Sequence, residues 1–411
     1  MKIYRVGGSV RDELLGRRIV DRDWVVVGAT PEILVASGYR PVGRDFPVFL
    51  HPDTHEEYAL ARTERKHGRG YRGFEFFVSP DVTLDEDLAR RDLTINAMAR
   101  DEHGKLIDPF GGEADLRAGI LRHVSPAFVE DPLRVLRVAR FAARFGFKVA
   151  RETLALMREL SESGELSSLA PERVWQELSR GLMEPHPSRM IDVLRDCGAL
   201  ARLLPEVDAR LGPRTAHRSR RGARARLDAA LDIAATRDAS LPVRYAILAQ
   251  DPDESEASAA ISGAQLVRAV RIADVISSRL KVPADCRDAA RLAARWRRTI
   301  DDAGALRPAE LLALLTAVDA FRRPERLDAV LEVGACLALS GRRAPAGYAP
   351  AAVVHAALAA AKSVDAGAIA RRLAPRGDAE RVKDDDAIAR AIRAARLSAL
   401  RGLRRKTREP R

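Results

Sequence analysis

Residues 4–27, YRVGGSVRDELLGRRIVDRDWVVV, constrain this chain more than any other stretch. A short apolar run at 3–6 reads as a strand and is broken by Gly7 and Gly8, which tolerate backbone conformations other residues resist. Ser9 can cap a helix over 10–15, and a helix start presents free N–H groups and a partial positive charge to anions. Arg11 falls in the first turn of that helix, beside any phosphate the glycine turn holds. Next come Asp21, Arg22 and Asp23, then the apolar run 24–27, which reads as a buried strand. On a strand, residues i and i+2 share a face, so Asp21 and Asp23 lie side by side. Like charges at that spacing repel unless a cation sits between them, and Mg²⁺, a hard cation, suits carboxylate and phosphate oxygens. A Gly-Gly turn alone is usually only a turn, and a paired Asp at a strand start is usually solvated. Together, at this spacing, they are the apparatus of metal-assisted nucleotidyl transfer.

The remaining composition narrows the partners. The chain has 411 residues, 46% hydrophobic and 31% charged, enough for two or three globular domains. No apolar run reads as long enough to span a membrane, and the N-terminus lacks a signal-peptide pattern. Cys197, Cys286 and Cys336 are widely spaced, form no metal motif and suggest a reducing cytoplasm. A net charge of +12 favours a polyanionic partner, nucleic acid before membrane, although the excess of Arg over Lys also fits a general basic bias.

Along the chain, residues 1–120 mix strand-like and helix-like pieces, and everything after them reads as helical. The expected fold class is therefore α+β: a mixed sheet with helices, followed by an all-helical region. Domain limits are expected at 1–120, 121–205 and 206–411. Residues 41–50 and 58–61 look like strands, with Glu57 just before the second. The basic, glycine-rich segment 63–73 reads as a mobile loop of the kind that closes over substrates. DPFGG at 108–112 is a turn signature, and 171–182 is a helix with Trp175, Leu178 and Leu182 on one face. Basic runs occur at 214–226 and 401–411.

A second constellation lies in EDPLRVLRVARFAARF, residues 130–145. Asp131 reads as N-cap and Pro132 as the first helical residue, with Leu133, Leu136, Phe141 and Phe145 as apolar anchors. At 100° per residue, Arg134, Arg137, Arg140 and Arg144 fall on one stripe. Such a stripe can grip a triphosphate; alone it reads equally well as a solvated basic helix. Arg90, Arg91 and Asp92 can be a salt-bridged helix start, or a clamp in which Arg gives forked donors and Asp accepts from a hydroxyl.

These motifs, in this order, resemble the bacterial tRNA nucleotidyltransferases, the CCA-adding enzymes that share their head with bacterial poly(A) polymerases. The resemblance covers residues 1 to about 200. It implies a nucleotidyltransferase palm at 1–120, a helical neck with a nucleotide-template helix at 121–205, and a helical, tRNA-binding body and tail at 206–411. It implies addition and repair of the 3′-terminal CCA of tRNA, without a nucleic-acid template, from CTP and ATP with release of pyrophosphate. Asp21 and Asp23 would be the catalytic, Mg²⁺-binding pair, and Gly8 and Arg11 would hold the incoming triphosphate. Arg91 matches the ribose- and nucleotide-binding motif. Asp131 and Arg134 would read the base edge of CTP and then ATP, and Arg137 and Arg140 match further nucleotide-binding arginines. DPFGG resembles the family's hinge, and PERVWQEL at 171–178 its neck motif that steadies the template helix. Glu57 is a candidate third carboxylate, with an ordinary surface strand residue the plainer reading.

Other readings compete. Poly(A) polymerases share the head but usually carry a GRRF-type motif where this chain has GRDFPVF at 43–49. Some relatives carry a metal-dependent His-Asp phosphohydrolase domain. Here YAILAQD at 245–251 resembles its motif with Gln250 where His is expected, so the region 225–330 reads as a degenerate copy. A tRNA-binding protein that has lost catalysis is disfavoured by the intact carboxylates and arginines.

Overall fold

A computed structural model describes residues 1–42, 48–66, 74–212, 222–250, 263–341, 347–373 and 381–406. By its contacts the chain divides into two units, residues 1–209 and 210–411.

The first strand, β1 (Lys2–Val6), sits inside a seven-stranded sheet. Its neighbour β2 (Asp23–Val27) pairs antiparallel to it, with Val6 opposite Asp23. Between them lies helix α1 (Gly8–Leu14), entered through Gly7 at φ 68°. The positive φ favours glycine there, and a Cβ would in addition displace the Arg91 guanidinium, whose nearest nitrogen it would meet at 2.6 Å. The expected cap is different: the helix begins at Gly8, and the Ser9 hydroxyl donates back to the Val6 carbonyl at 3.1 Å. Helix α2 (Pro31–Ala36) follows, then β3 (Arg40–Val42), β4 (Val48–Leu50) and β5 (Glu57–Leu60). A hairpin of β6 (Arg62–Lys66) and β7 (Phe74–Val78) stands apart from the sheet. The first part of the expected loop 63–73 is thus strand, and 67–73 lie outside the described residues, as do 43–47 of GRDFPVF.

After helix α3 (Leu84–Ala89) the chain adds β8 (Ala99–Arg100) and β9 (Leu106–Ile107), closing the order β3-β4-β5-β2-β1-β8-β9. β5 runs parallel to β2 with Glu57 beside Asp23. Val6, Asp23 and Glu57 therefore form a row across three strands on one face. That face packs Val6, Val25, Ala61, Leu88 and Ala99; the other packs Val26, Leu34, Phe49, Tyr58 and Leu60.

Helix α4 (Gly112–Ala118) starts where the Asp108 carboxylate accepts the Gly112 and Glu113 N–H groups at 2.7 and 2.9 Å. A Cβ on Gly112 would lie 2.2 Å from the Thr94 carbonyl oxygen, so this glycine lets α4 press on the segment carrying Asn96. A two-stranded pair, β10 (Ile120–Leu121) and β11 (Lys148–Val149), flanks α5 (Leu133–Phe145). Helices α6 (Arg151–Glu162), α7 (Pro171–Met183) and α8 (Pro187–Asp196) complete the surroundings, with α7 and α8 against α5. α7 covers the expected 171–182. α5 starts one residue later than expected, with Pro132 as cap and the Asp131 carboxylate accepting the Leu133 N–H at 3.0 Å.

The second unit is helical: Ala223–Thr236, Leu241–Ala249, Gly263–Arg279, Ala284–Asp301, Pro308–Ala317, Pro324–Leu339, Ala349–Lys362, Ala366–Leu373 and Arg381–Lys406. Of the basic runs, 213–221 and 407–411 lie outside the described residues. One sequence expectation is corrected here. The stretch Ala349–Leu373, 25 residues with an 18-residue window of mean hydropathy 1.3, is long and apolar enough to cross a membrane by length and composition. The fold breaks it between Lys362 and Ala366, leaving helices of 14 and 8 residues. Each is shorter than the roughly 20 residues a bilayer core requires. The overall class is α+β, as expected.

Candidate active site

A cleft of about 630 Å³ opens on the Val6–Asp23–Glu57 face, with α5 as its opposite wall. Gly8, Arg11, Asp23, Arg91, Asp131, Arg134, Arg137 and Arg140 all line it, with Arg144 from the same stripe. Asp21 does not. It precedes β2 rather than belonging to it and lines an adjoining pocket of about 700 Å³, which also contains Asp23, Glu56 and Glu57. Asp23 and Glu57 thus belong to both cavities.

At the carboxylate end two described cations are committed to other acids, Arg22 to Glu56 at 3.3 Å and Arg91 to Asp87 at 3.2 Å. Desolvation raises the Asp23 carboxyl above the ordinary range, Arg91 opposes this, and the Asp21 charge adds to it. Neither Asp21 nor Asp23 has an ion-pair partner among the described residues. Asp23, raised by desolvation, lies in register beside Glu57, and carboxylate oxygens are what a hard divalent cation takes, but the described residues do not gather three such groups into one metal cluster. Glu57 is better placed than its sequence suggested, because strand order, not spacing, sets it beside Asp23.

The other walls are arginines fixed by buried acids. Arg11, 4% exposed, donates to Asp12 Oδ1 at 2.9 Å and to Asn96 Oδ1 at 2.5 Å, and its guanidinium lies 5.0 Å from the Phe145 ring. Arg91 donates to the Asn96 carbonyl at 3.4 Å and to Asp87 Oδ2 at 3.2 Å. Asp87 is fully buried and also takes Arg90 at 2.7 Å; burial works against its charge, but the two arginines hold it below the usual carboxylate range. Asp92 behaves likewise. Burial pushes it up, yet Arg137 at 2.7 Å and the Asn96 amide bring it down to about 2. Of the two readings of 90–92, a salt-bridged helix start does not describe it, because the segment follows the end of α3 and carries a buried acid.

Arg134 and Asp131 are anchored differently. Arg134 donates to the Ala127 carbonyl at 2.7 Å and the Arg90 carbonyl at 2.6 Å. Asp131 holds the start of α5 and lies 3.6 Å from Arg173 of α7. Arg140 bonds Glu177 of α7 at 2.6 Å, both buried, with Glu184 at 4.0 Å. Arg144 reaches Asp12 at 3.1 Å. Sequence reasoning missed Asn96, Asp87 and Glu177 as organisers of the cleft. Only the downstream reach of the motifs hinted at them: Asn96 follows Asp92 by four residues, and Glu177 lies inside PERVWQEL.

Two family models match the chain: the Poly A polymerase head domain over residues 3–122, and the probable RNA and SrmB-binding site of polymerase A over 146–211. With the sheet, the carboxylate row and the arginine wall, they define a nucleotidyltransferase of the poly(A)-polymerase head class. A multifunctional CCA protein from Azoarcus sp. (strain BH72) is 55% identical over 98% of this chain and 98% of the relative. Another from Nitrosomonas europaea is 55% identical over 91% and 92%. The chain belongs to the family of the multifunctional CCA proteins, the CCA-adding tRNA nucleotidyltransferases. Among solved structures, the Bacillus stearothermophilus CCA-adding enzyme in complex with CTP shares the fold, with TM-score 0.62, 24% identity and coverage of 98% of this chain and 94% of that one. A CCA-adding enzyme in apo form II gives TM-score 0.63 at 21% identity, covering 97% and 88%.

Proposed function

We propose that this protein adds and repairs the 3′-terminal CCA of tRNA without a nucleic-acid template, using CTP and ATP and releasing pyrophosphate. The carrying observation is the identity of 55% along nearly the whole chain to a multifunctional CCA protein, together with one cleft that gathers the arginines and Asp23. In this reading the limits are a head at 1–120, a neck at 121–205 and a tRNA-binding body and tail at 206–411.

Asp21 and Asp23 would hold a divalent cation, which we take to be Mg²⁺. When bound, such an ion polarises the α-phosphate and makes the RNA 3′-hydroxyl a better nucleophile. Gly8 and Arg11 receive the triphosphate, and Arg91 the ribose side. Arg137 and Arg140 neutralise charge along the nucleotide, and the hydroxyl oxygen displaces pyrophosphate at the α-phosphorus. Asp131 and Arg134 read the base edge: guanidinium N–H groups not used on Ala127 and Arg90 donate, and the carboxylate accepts. Three unpaired, buried cysteines support a cytoplasmic location. The deciding assay offers transcripts lacking CCA, CA or A, with CTP and ATP separately and together. Stepwise C, C and A addition is expected; long poly(A) tails would instead indicate a poly(A) polymerase.

Arg134→Ala should change nucleotide choice as well as rate, because an unmet base-reading group costs more than a lost contact. Admission of UTP or GTP, or loss of the order between CTP and ATP, is expected in competition assays. Unchanged selectivity at reduced rate would reduce Arg134 to a clamp on the two carbonyls.

The second unit is expected to have no phosphohydrolase activity. Gln250 is buried, and its amide donates to the Ala290 carbonyl at 3.3 Å, so it serves packing. Asp251 lies outside the described residues. No group of three or more His, Cys, Asp or Glu suited to a metal occurs among the described residues. Phosphatase and 2′,3′-cyclic phosphodiesterase assays with Ni²⁺, Mn²⁺ or Mg²⁺ check this. Turnover lost in Asp251→Ala would make the protein bifunctional.

A further inference from the structure

Asn96 sits where three distant segments meet. Its Oδ1 accepts from Arg11 at 2.5 Å, and its Nδ2 donates to Asp92 Oδ1 at 2.9 Å. Asp92 Oδ2 in turn accepts from Arg137 at 2.7 Å, and the Asn96 carbonyl accepts from Arg91 at 3.4 Å. Asn96, Asp92 and Arg11 are each 6% exposed or less. One carboxamide therefore joins a cation on α1 to an anion that orients a cation on α5.

The chemistry of the position is specific. A primary amide accepts on one side and donates on the other, so it can bridge Arg⁺ and Asp⁻ with both satisfied. A carboxylate would face Asp92 with like charge, and an apolar side chain would remove a hydrogen-bond partner from both buried ions. The platform beneath is stiff. The Asn96 N–H bonds the Leu93 carbonyl at 2.8 Å, Thr94 Oγ1 donates to Asp115 at 2.7 Å, and Gly112 lies against the Thr94 carbonyl.

We infer that Asn96 is a positioning residue that holds Arg11 and the Asp92–Arg137 pair in one register, so that the two ends of a nucleoside triphosphate are gripped as a single ligand. This rests on the reading of the cleft as a nucleoside triphosphate site. Asn96 acts through the arginines, and its loss breaks the coupling between the phosphate end and the nucleoside end. Binding at either end alone survives.

The experiment uses the full chain with tRNA lacking CCA and follows C addition. It measures KM for CTP, with inhibition constants for cytidine and for tripolyphosphate as probes of each end. Asn96→Ala and Asn96→Ser, which cannot span both partners, should raise KM for CTP by a factor of about ten, a usual size for coupling between two sites. kcat should stay within about three-fold, as for lost uniform binding. Each fragment constant should shift by less than about three-fold. Unchanged KM in both variants, or an equal loss for CTP, cytidine and tripolyphosphate, overturns the proposal. If neither variant folds in a thermal melt, Asn96→Gln decides, because its longer amide keeps both polar groups but moves them out of register: KM for CTP should rise while the constants for cytidine and tripolyphosphate stay within about three-fold, and an unchanged KM overturns the link. Wild-type protein that fails to use CTP overturns the parent reading instead.

Discussion

Asp21→Ala and Asp23→Ala should each lower incorporation of C and of A by about 10³-fold or more, because charge stabilisation by a metal contributes several kcal/mol at roughly 1.4 kcal/mol per decade. Both additions are expected to fall together, since in the proposed reading the carboxylates serve the reaction centre rather than the base. Folding should be unharmed. The Asp21 charge works against ionisation of Asp23, and no described cation partners either residue, so removing one relieves repulsion. Single-turnover addition of CTP and ATP, with tRNA binding and a thermal melt on the same preparations, gives the readout. Incorporation within about ten-fold of wild type by either variant would remove the carboxylates from the reaction centre.

Glu177→Ala should cost unit 1 about 3–5 kcal/mol, the usual penalty for stranding one member of a buried ion pair. Arg140, 9% exposed, would be left with Glu184 at 4.0 Å as its remaining acidic neighbour and with the Phe141 ring at 4.5 Å. The same contact couples α5 to α7, so addition should fall as the arginine wall loosens. Glu177→Met with Arg140→Met should recover most of the stability, since an apolar pair replaces a buried ion pair at little cost. Activity should stay low, because the cleft has lost a cation. Urea titration of wild type and the two variants checks both halves. A loss below about 1 kcal/mol in Glu177→Ala would show that the pair is solvated and the two helices are held by their apolar contacts alone.

The α+β class, the glycine turn, the arginine stripe and helix 171–182 were all legible because each depends on local chemistry. Glycine conformation, a 100° step and proline at a helix start act within a few residues. Boundaries were less legible. The Asp131–Pro132 cap moved by one residue, Asp21 fell before its strand, and the Ser9 hydroxyl turned back to Val6, because neighbouring backbone competed for the same groups.

Which residues share the cleft was partly legible, and how they hold each other was not. The resemblance of the ordered motifs to the CCA-adding enzymes pointed to Gly8, Arg11, Asp23, Arg91, Asp131, Arg134, Arg137 and Arg140, which line one cleft. Strand order 5-2-1 set Glu57 beside Asp23, and the packing of α4 and α5 brought Asn96 between Arg11 and Asp92. Nor could sequence show that Ala349–Leu373 is two helices or that Gln250 faces a carbonyl. Local residues determine which conformation a segment prefers and which charges it carries. Partners separated by 37 residues, as Arg140 and Glu177 are, or by 85, as Arg11 and Asn96 are, meet only when buried surfaces fix the elements around them. Burial then decides which of these ions must be satisfied.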